Sequence, residues 1–314
     1  MNHKNINIIL AYLLPTINTY KFELPELLIN KYKLVSKISP GNPKPFLLGL
    51  YKDKSGKKFV AKIWEGRIKD INYYNLLRES KVLGVLNAVQ KRIKLGKVSV
   101  PELADCLNQG NLVVVITKFA EGKRVSEIKS TKTQFEIYQK SREFLLRLSN
   151  SCTKAEMNAI GIKNGKDFLI QYPFILGKSL ITYPGKWREL LKGGLNVMEG
   201  LPAFFTTHKY VFIHGDLHLS NILVSEKQVT ILDFEQSVFS FPETETVTSL
   251  SSRLNPRKIK EKLSGSFTKS LEENPRAGIL AIICSTHNLI EKVSIECLNS
   301  YTQTLILANK QLTK

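Results

Sequence analysis

Phe212-Ile213-His214-Gly215-Asp216-Leu217-His218-Leu219-Ser220-Asn221-Ile222-Leu223-Val224 is followed closely by Thr230-Ile231-Leu232-Asp233-Phe234-Glu235. Asp216 stands five residues before Asn221, and Asp233 twelve after it. Between them, Ile222-Leu223-Val224 and Val229 to Leu232 flank the polar Ser225-Glu226-Lys227-Gln228, the pattern of a β-hairpin. Phosphoryl transfer from a nucleotide needs these residue types in this order. One carboxylate orients or deprotonates the attacking hydroxyl, while an amide oxygen and a second carboxylate hold the magnesium ions that bridge the phosphates. So many spaced positions agree that a solvated loop with chance carboxylates is the poorer reading.

Protein kinases place the same groups as H-R-D-x-x-x-x-N followed by D-F-G. Here the slots read His214-Gly215-Asp216 with Asn221, then Asp233-Phe234-Glu235. The run resembles the aminoglycoside phosphotransferase and choline kinase superfamily, the small-molecule relatives of protein kinases. Their catalytic loop reads H-G-D-x-H-x-x-N-I-L, and several branches follow it with I-D-F-E. The resemblance implies an α+β, bilobal, protein-kinase-like fold with a small β-rich N-lobe and a larger, mostly helical C-lobe. It implies Asp216 as the catalytic carboxylate, Asn221 and Asp233 as metal ligands, and His214 as an architectural residue under the loop. His218, where the family commonly has His, is placed on the acceptor side. The cofactors implied are ATP (or GTP) and Mg2+.

A kinase reading demands a strand Lys that reaches the α/β-phosphates and a Glu on the next helix to pair with it. Tyr32 to Ile38, Phe46 to Tyr51 and Lys58 to Trp64 read as strands, and Val60-Ala61-Lys62 is V-A-I-K with one residue fewer. Asn72 to Val89 carries Leu76, Leu77, Val82, Leu83, Leu86 and Val89 at helical spacing. Glu79 lies amid those positions, seventeen residues after Lys62, and is the expected partner; Glu65 is too close along the strand. The loop Ser39-Pro40-Gly41-Asn42-Pro43-Lys44-Pro45 is a poor phosphate loop, with three prolines that lack backbone donors. By resemblance alone, the backbone near Lys118 to Ala120 is expected to bind the nucleotide base.

A strand pair turning at Asn108-Gln109-Gly110-Asn111 completes the β-rich part, and Lys118 to Gly122 reads as its exit linker. Residues 125 to 207 are mostly helical in pattern, with breaks expected at Gly193-Gly194 between two short helices. The stretch 277 to 311 has apolar spacing for one or two closing helices, and Ile8 to Leu14 for an N-terminal one. The expected organisation is an extension over 1–30, an N-lobe for the nucleotide over 31–119, and a C-lobe over 120–314 holding the catalytic loop, metal site and acceptor site. Family members usually carry a buried Asp after the magnesium motif; Pro242-Glu243-Thr244-Glu245-Thr246 has none.

The 314 residues hold 46 Lys+Arg against 27 Asp+Glu, a net charge of +19. That balance disfavours a cationic ligand, because like charge raises the potential it must climb. It therefore counts against polycationic aminoglycosides and favours a small hydroxyl compound or an anionic glycolipid headgroup as acceptor. Of the basic residues 36 are Lys and 10 are Arg. Scarce Arg weakens a nucleic-acid reading, since Arg is the residue suited to bidentate phosphate recognition. Residues 31 to 70 alone carry a local +8, and Arg253 to Lys262 form a second basic cluster, compatible with peripheral contact to an anionic membrane. Four scattered cysteines without a C-x-x-C pair argue against a zinc site or a disulfide framework, so a cytoplasmic setting is expected. Two alternatives stay open: an atypical RIO-like or Bud32-like protein kinase, which shares the His-Gly-Asp loop, and a non-catalytic nucleotide-binding scaffold.

Overall fold

A computed structural model describes residues 23–39, 46–66, 69–93, 96–205, 209–251 and 275–290. The expected N-terminal helix at 8–14, most of the proline-rich loop, the basic cluster at 253–262 and the chain after Ile290 lie outside these residues. The described residues fall into two compact units. One is drawn from Met1–Val125, Ser151–Ile160 and Asn221–Ser237, the other from Ser126–Asn150, Gly161–Ser220 and Val238–Lys314.

In the first unit, period-two alternation builds a six-stranded sheet in the order β1-β2-β3-β4-β7-β6. Its strands are β1 (Leu27–Leu28), β2 (Tyr32–Lys37), β3 (Leu47–Lys52), β4 (Lys58–Glu65), β6 (Leu103–Gln109) and β7 (Leu112–Lys118). All its neighbours pair antiparallel, and the β6–β7 hairpin turns through Gly110 at φ 58°. Odd-numbered side chains of β4 (Phe59, Ala61 and Ile63) pack with Tyr32, Tyr51 and Ile116 on one face. Trp64 packs on the other with Val113 and Val115, against Tyr73 and Leu76 of helix α1 (Ile71–Arg92). Lys62 shares the parity of Trp64, so it leaves the strand on the helix-facing side.

Helix α1 starts where Asp70 caps the amides of Asn72 and Tyr73 at 2.8 and 3.1 Å, and ends with Lys91 and Arg92 favourably placed on the dipole. Its buried stripe runs Tyr73, Leu76, Glu79, Val82, Leu83, Leu86 and Val89. A carboxylate set in that row is unusual enough to mark a site. The unit also holds a four-stranded sheet, β5-β11-β10-β8, made of β5 (Val98–Ser99), β8 (Lys123–Arg124), β10 (Ile222–Val224) and β11 (Val229–Ile231). The β10–β11 hairpin pairs Ile222 with Ile231 and Val224 with Val229, around the polar turn read from the sequence.

The second unit is helical, with α2 (Thr131–Ser151), α4 (Gly165–Thr182), α5 (Trp187–Glu199), α6 (Pro242–Ser251) and α7 (Pro275–Ile290); the short α3 (Lys154–Ile160) belongs to the first. Strands β9 (Val211–Ile213) and β12 (Val238–Ser240) pair antiparallel within it. Its core packs Phe168 and Tyr172 of α4, Leu190 and Val197 of α5, Phe241, and Ile279 to Ile283 of α7. At roughly 1.5–3 kcal/mol per large apolar side chain, this cluster carries much of the unit's stability. The break expected at Gly193-Gly194 does not occur. Helix α5 runs through both, because they are buried and a Cβ on Gly194 would lie 3.0 Å from Leu176 of α4. The glycines serve close helix packing instead of a turn. Among the described residues no helix is long and apolar enough to cross a membrane.

Candidate active site

Strand parity and the helix stripe bring Lys62 to Glu79. The Lys62 Nζ donates to Glu79 Oε1 at 2.8 Å and to Asp233 Oδ1 at 2.6 Å. The three side chains are 17, 4 and 13% exposed, so the cluster is largely removed from water. Burial alone would push the Lys62 pKa down. The carboxylates of Asp233 and Glu79, with Glu235 nearby, outweigh it and hold the ammonium above the ordinary lysine value. Burial pushes Glu79 upward, against the pull of Lys62 and the nearby Phe234 amide. Its Oε2 has no hydrogen-bond partner among the described residues.

Asp233 follows β11 and adopts φ 68°, ψ 64°, a left-handed conformation that non-glycine residues rarely take. Two anchors hold it there. The Leu232 amide donates to the Asn221 carbonyl at 2.7 Å, and the next side chain, Phe234, is fully buried. The same backbone bond sets Asn221, itself buried, one strand away from the Asp233 loop. Residue strain of this kind, fixed on both sides, is a mark of functional positions.

In the second unit the residues of the His214–His218 loop are braced by their own side chains. His214 is fully buried and its Nδ1 accepts from the Asp216 amide at 3.3 Å. Gly215 takes φ 82°, which explains a glycine between His and Asp. The amides of His214 and Gly215 donate to one oxygen of Glu245, at 2.7 and 3.3 Å. Asp216 keeps about a third of its side chain open, while His218 is buried with Nε2 3.6 Å from Asp216 Oδ2. The His218 Nδ1 has no partner among the described residues. A partly open carboxylate on a braced loop can accept a hydrogen bond from a hydroxyl and take its proton.

The sequence model of a phosphotransferase enzyme family, APH, matches residues 51–272, more than two thirds of the protein. The chain belongs to this family. No curated protein matches it. Among solved structures, a thermostable mutant of the aminoglycoside phosphotransferase APH(4)-Ia, in ternary complex with ADP and hygromycin B, is 10% identical with a TM-score of 0.61. The match covers 90% of this chain and 94% of that one. The amicoumacin kinase hAmiN, in complex with AMP-PNP and Ca2+, is 11% identical with a TM-score of 0.54, over 91 and 90% of the two chains. Spectinomycin phosphotransferase APH(9)-Ia, in complex with ADP and spectinomycin, is 12% identical with a TM-score of 0.51, over 89 and 94%. The fold is therefore the α+β, kinase-like one, and the protein is a phosphotransferase.

Two findings bear on this phosphotransferase's remaining residues. In the stretch Lys118 to Ala120, the Lys118 amide donates to Glu102 O and the Phe119 amide to Lys58 O, while the Lys118 side chain pairs with Glu102 at 2.6 Å. Ala120 is the first residue beyond those sheet bonds. Glu245, by contrast, was not singled out by sequence reasoning, because the family pattern directs attention to an Asp. A longer carboxylate in the first turn of α6 does the amide-holding, and an acidic residue shortly after a helix-starting proline was the available signal.

Proposed function

We propose that this phosphotransferase moves the γ-phosphoryl group of ATP, or of GTP in its place, to a hydroxyl of a small-molecule acceptor in a magnesium-dependent reaction. The observation that carries the reading is the Lys62 ammonium, held charged between Glu79 and Asp233 in a site largely closed to water. A buried cationic donor of this kind fits the α/β-phosphates of a nucleotide. Solved structures of similar fold were determined with ADP, or with AMP-PNP and Ca2+, which supports nucleotide use. Residues 31–119 are assigned the nucleotide and 120–314 the acceptor, with the Ala120 amide available to an adenine edge.

The oxygen donors suit magnesium: the Asn221 amide and the Asp233 carboxylate are hard ligands. Bound there, magnesium would supply charge neutralisation on the phosphates. Asp216 accepts the hydrogen bond of the acceptor hydroxyl and takes its proton as the oxygen bonds to the γ-phosphorus. The bond from that phosphorus to the bridging β–γ oxygen breaks, and the diphosphate leaves. His218, buried against Asp216, orients the carboxylate.

Structures of similar fold hold hygromycin B and spectinomycin as ligands of those proteins. A chain at +19 suits an uncharged or anionic hydroxyl compound, such as a sugar or a glycolipid headgroup, better than a polycation. Incubation with γ-labelled ATP and fractionated acceptor pools tests the reading: label enters a small-molecule fraction with the wild-type protein and not with Asp216→Asn. Label entering protein instead, or tight ATP binding without turnover on any pool, would overturn it.

A further inference from the structure

Helices α4 and α5 each bury one side and leave a second apolar side uncovered. Phe168, Tyr172 and Ser179 of α4 turn inward, and the Ser179 hydroxyl donates to Thr286 O of α7 at 3.1 Å. On the opposite side of α4, Ile170, Phe174 and Ile181 recur at helical spacing and are exposed, Ile181 by 84%. Helix α5 buries Leu190, Gly193, Gly194 and Val197. It exposes Trp187, Leu191, Leu195 and Met198 at spacings of four, four and three, the last two by 59 and 66%. Both helices thus satisfy the core of their unit and still carry a full outer stripe. Monomeric soluble domains rarely leave so much ordered apolar surface open without a use.

The charges beside the stripes select the occupant. Lys166, Lys178, Arg188 and Lys192 are exposed on these two helices, against Glu199 as the exposed carboxylate and Glu189 half-buried in the first turn of α5. The Asp167 carboxylate is engaged in the α4 capping box, accepting the Asn164 amide at 2.9 Å. Arg188 lies over the Trp187 ring at 5.5 Å, at the head of the α5 stripe. A second copy of the chain laid on this face would bring like charges together. A nucleic acid would leave the apolar stripes unused. Aliphatic side chains edged by cations, with an aromatic ring at one end, match the boundary between headgroups and acyl chains of an anionic bilayer. The net charge of +19 adds long-range attraction to that surface.

We propose that the outer stripes of α4 and α5 dock this phosphotransferase on an anionic lipid surface, with Trp187 inserted among the headgroups. Docking needs neither nucleotide nor acceptor, so its test is separate from that of the catalytic reading. The chain has two tryptophans, and Trp64 is 2% exposed, so aqueous and lipid quenchers report on Trp187. The full chain is mixed with vesicles of phosphatidylcholine, alone or with phosphatidylglycerol, that carry brominated acyl chains. Quenching and co-flotation are expected with the anionic vesicles and should weaken at high salt. Leu195→Glu combined with Met198→Glu lowers partitioning at least about tenfold. Arg188→Glu combined with Lys192→Glu lowers it by about the same factor. Equal partitioning to pure phosphatidylcholine, no partitioning at all, or indifference to both pairs of substitutions overturns the proposal. So does a Trp187 already shielded from acrylamide before vesicles are added, which would mean that another segment or a second copy covers the face.

Discussion

Lys62 Nζ lies 2.6 Å from Asp233 Oδ1, joining the third long strand of the sheet to a residue 171 positions later. Glu79 closes the other side at 2.8 Å, so one cation holds two poorly hydrated carboxylates. Such a cluster gives little net stability when intact, since desolvation offsets the attraction. Removing the shared cation is costly, because it strands both anions. Lys62→Met is expected to lower unfolding free energy by about 3 kcal/mol and to abolish phosphoryl transfer. Urea denaturation read by far-UV circular dichroism checks the first effect. A variant as stable as the wild type would mean that the carboxylates find other partners.

Asp216 and Asp233 occupy different units and are expected to fail differently when changed. Asp216→Asn keeps the loop's shape but removes the proposed proton acceptor, so kcat is expected to fall by roughly 10²–10⁴-fold with nucleotide affinity nearly unchanged. Asp233→Ala removes the proposed hard oxygen ligand, and magnesium-dependent nucleotide binding is expected to weaken instead. Calorimetric titration with a non-hydrolysable ATP analogue, with and without magnesium, separates the two. Equal losses of binding in both variants would contradict the division of roles.

The sequence made Lys62, Glu79 and the β10–β11 hairpin legible because each depends on local periodicity. Strand parity put Lys62 on one face, and helix spacing put Glu79 in the buried row. The register that brings them within 2.8 Å is tertiary, and only the kinase-like pattern anticipated it. Gly193-Gly194 misled for a related reason. Glycine breaks a helix by propensity, yet a buried pair beside Leu176 is held helical by packing worth more than the intrinsic cost of about 1 kcal/mol per glycine. The exposed stripes of α4 and α5 were unreadable as well, since an apolar position in sequence carries no sign of which side the core takes.

Acid should loosen the join between α1 and α3. Arg92, the last residue of α1, donates to both oxygens of Glu156 at 2.9 and 3.1 Å, and Glu156 also accepts the Thr153 amide. The Arg92 hydrogen bonds, then that of Thr153, pull the Glu156 carboxyl from its ordinary 4.5 down to about 2. A depressed acid stabilises the fold above its unfolded value, and the contribution fades as pH falls from about 4.5 toward 2. The pair is solvent-screened, so the contribution is under about 1 kcal/mol. The stability advantage of wild type over Glu156→Gln, measured by urea melts, is expected to be constant from pH 7 to 5 and to shrink progressively below, by the pKa values given. A difference that stays flat into that acid range would rule out the charged pair as its source.

Glu245 gives the sharpest test of how the proposed catalytic loop is held. One of its oxygens takes the amides of His214 and Gly215, both immediately before Asp216. Glu245→Ala leaves two inward amides without an acceptor, at a cost of about 2 kcal/mol. The loop then relaxes, and kcat falls while the KM for nucleotide stays close to wild type, because Lys62, Glu79 and Asp233 belong to the other unit. Glu245→Gln keeps a carbonyl oxygen at the same reach and is expected to recover most of both stability and turnover. Glu245→Asp, shorter by one methylene, recovers less despite retaining the charge. That ranking, Gln above Asp above Ala, distinguishes a positional hydrogen-bond acceptor from a required negative charge. If Asp outperforms Gln in kcat, charge on the carboxylate matters more than its reach, and the loop is held electrostatically.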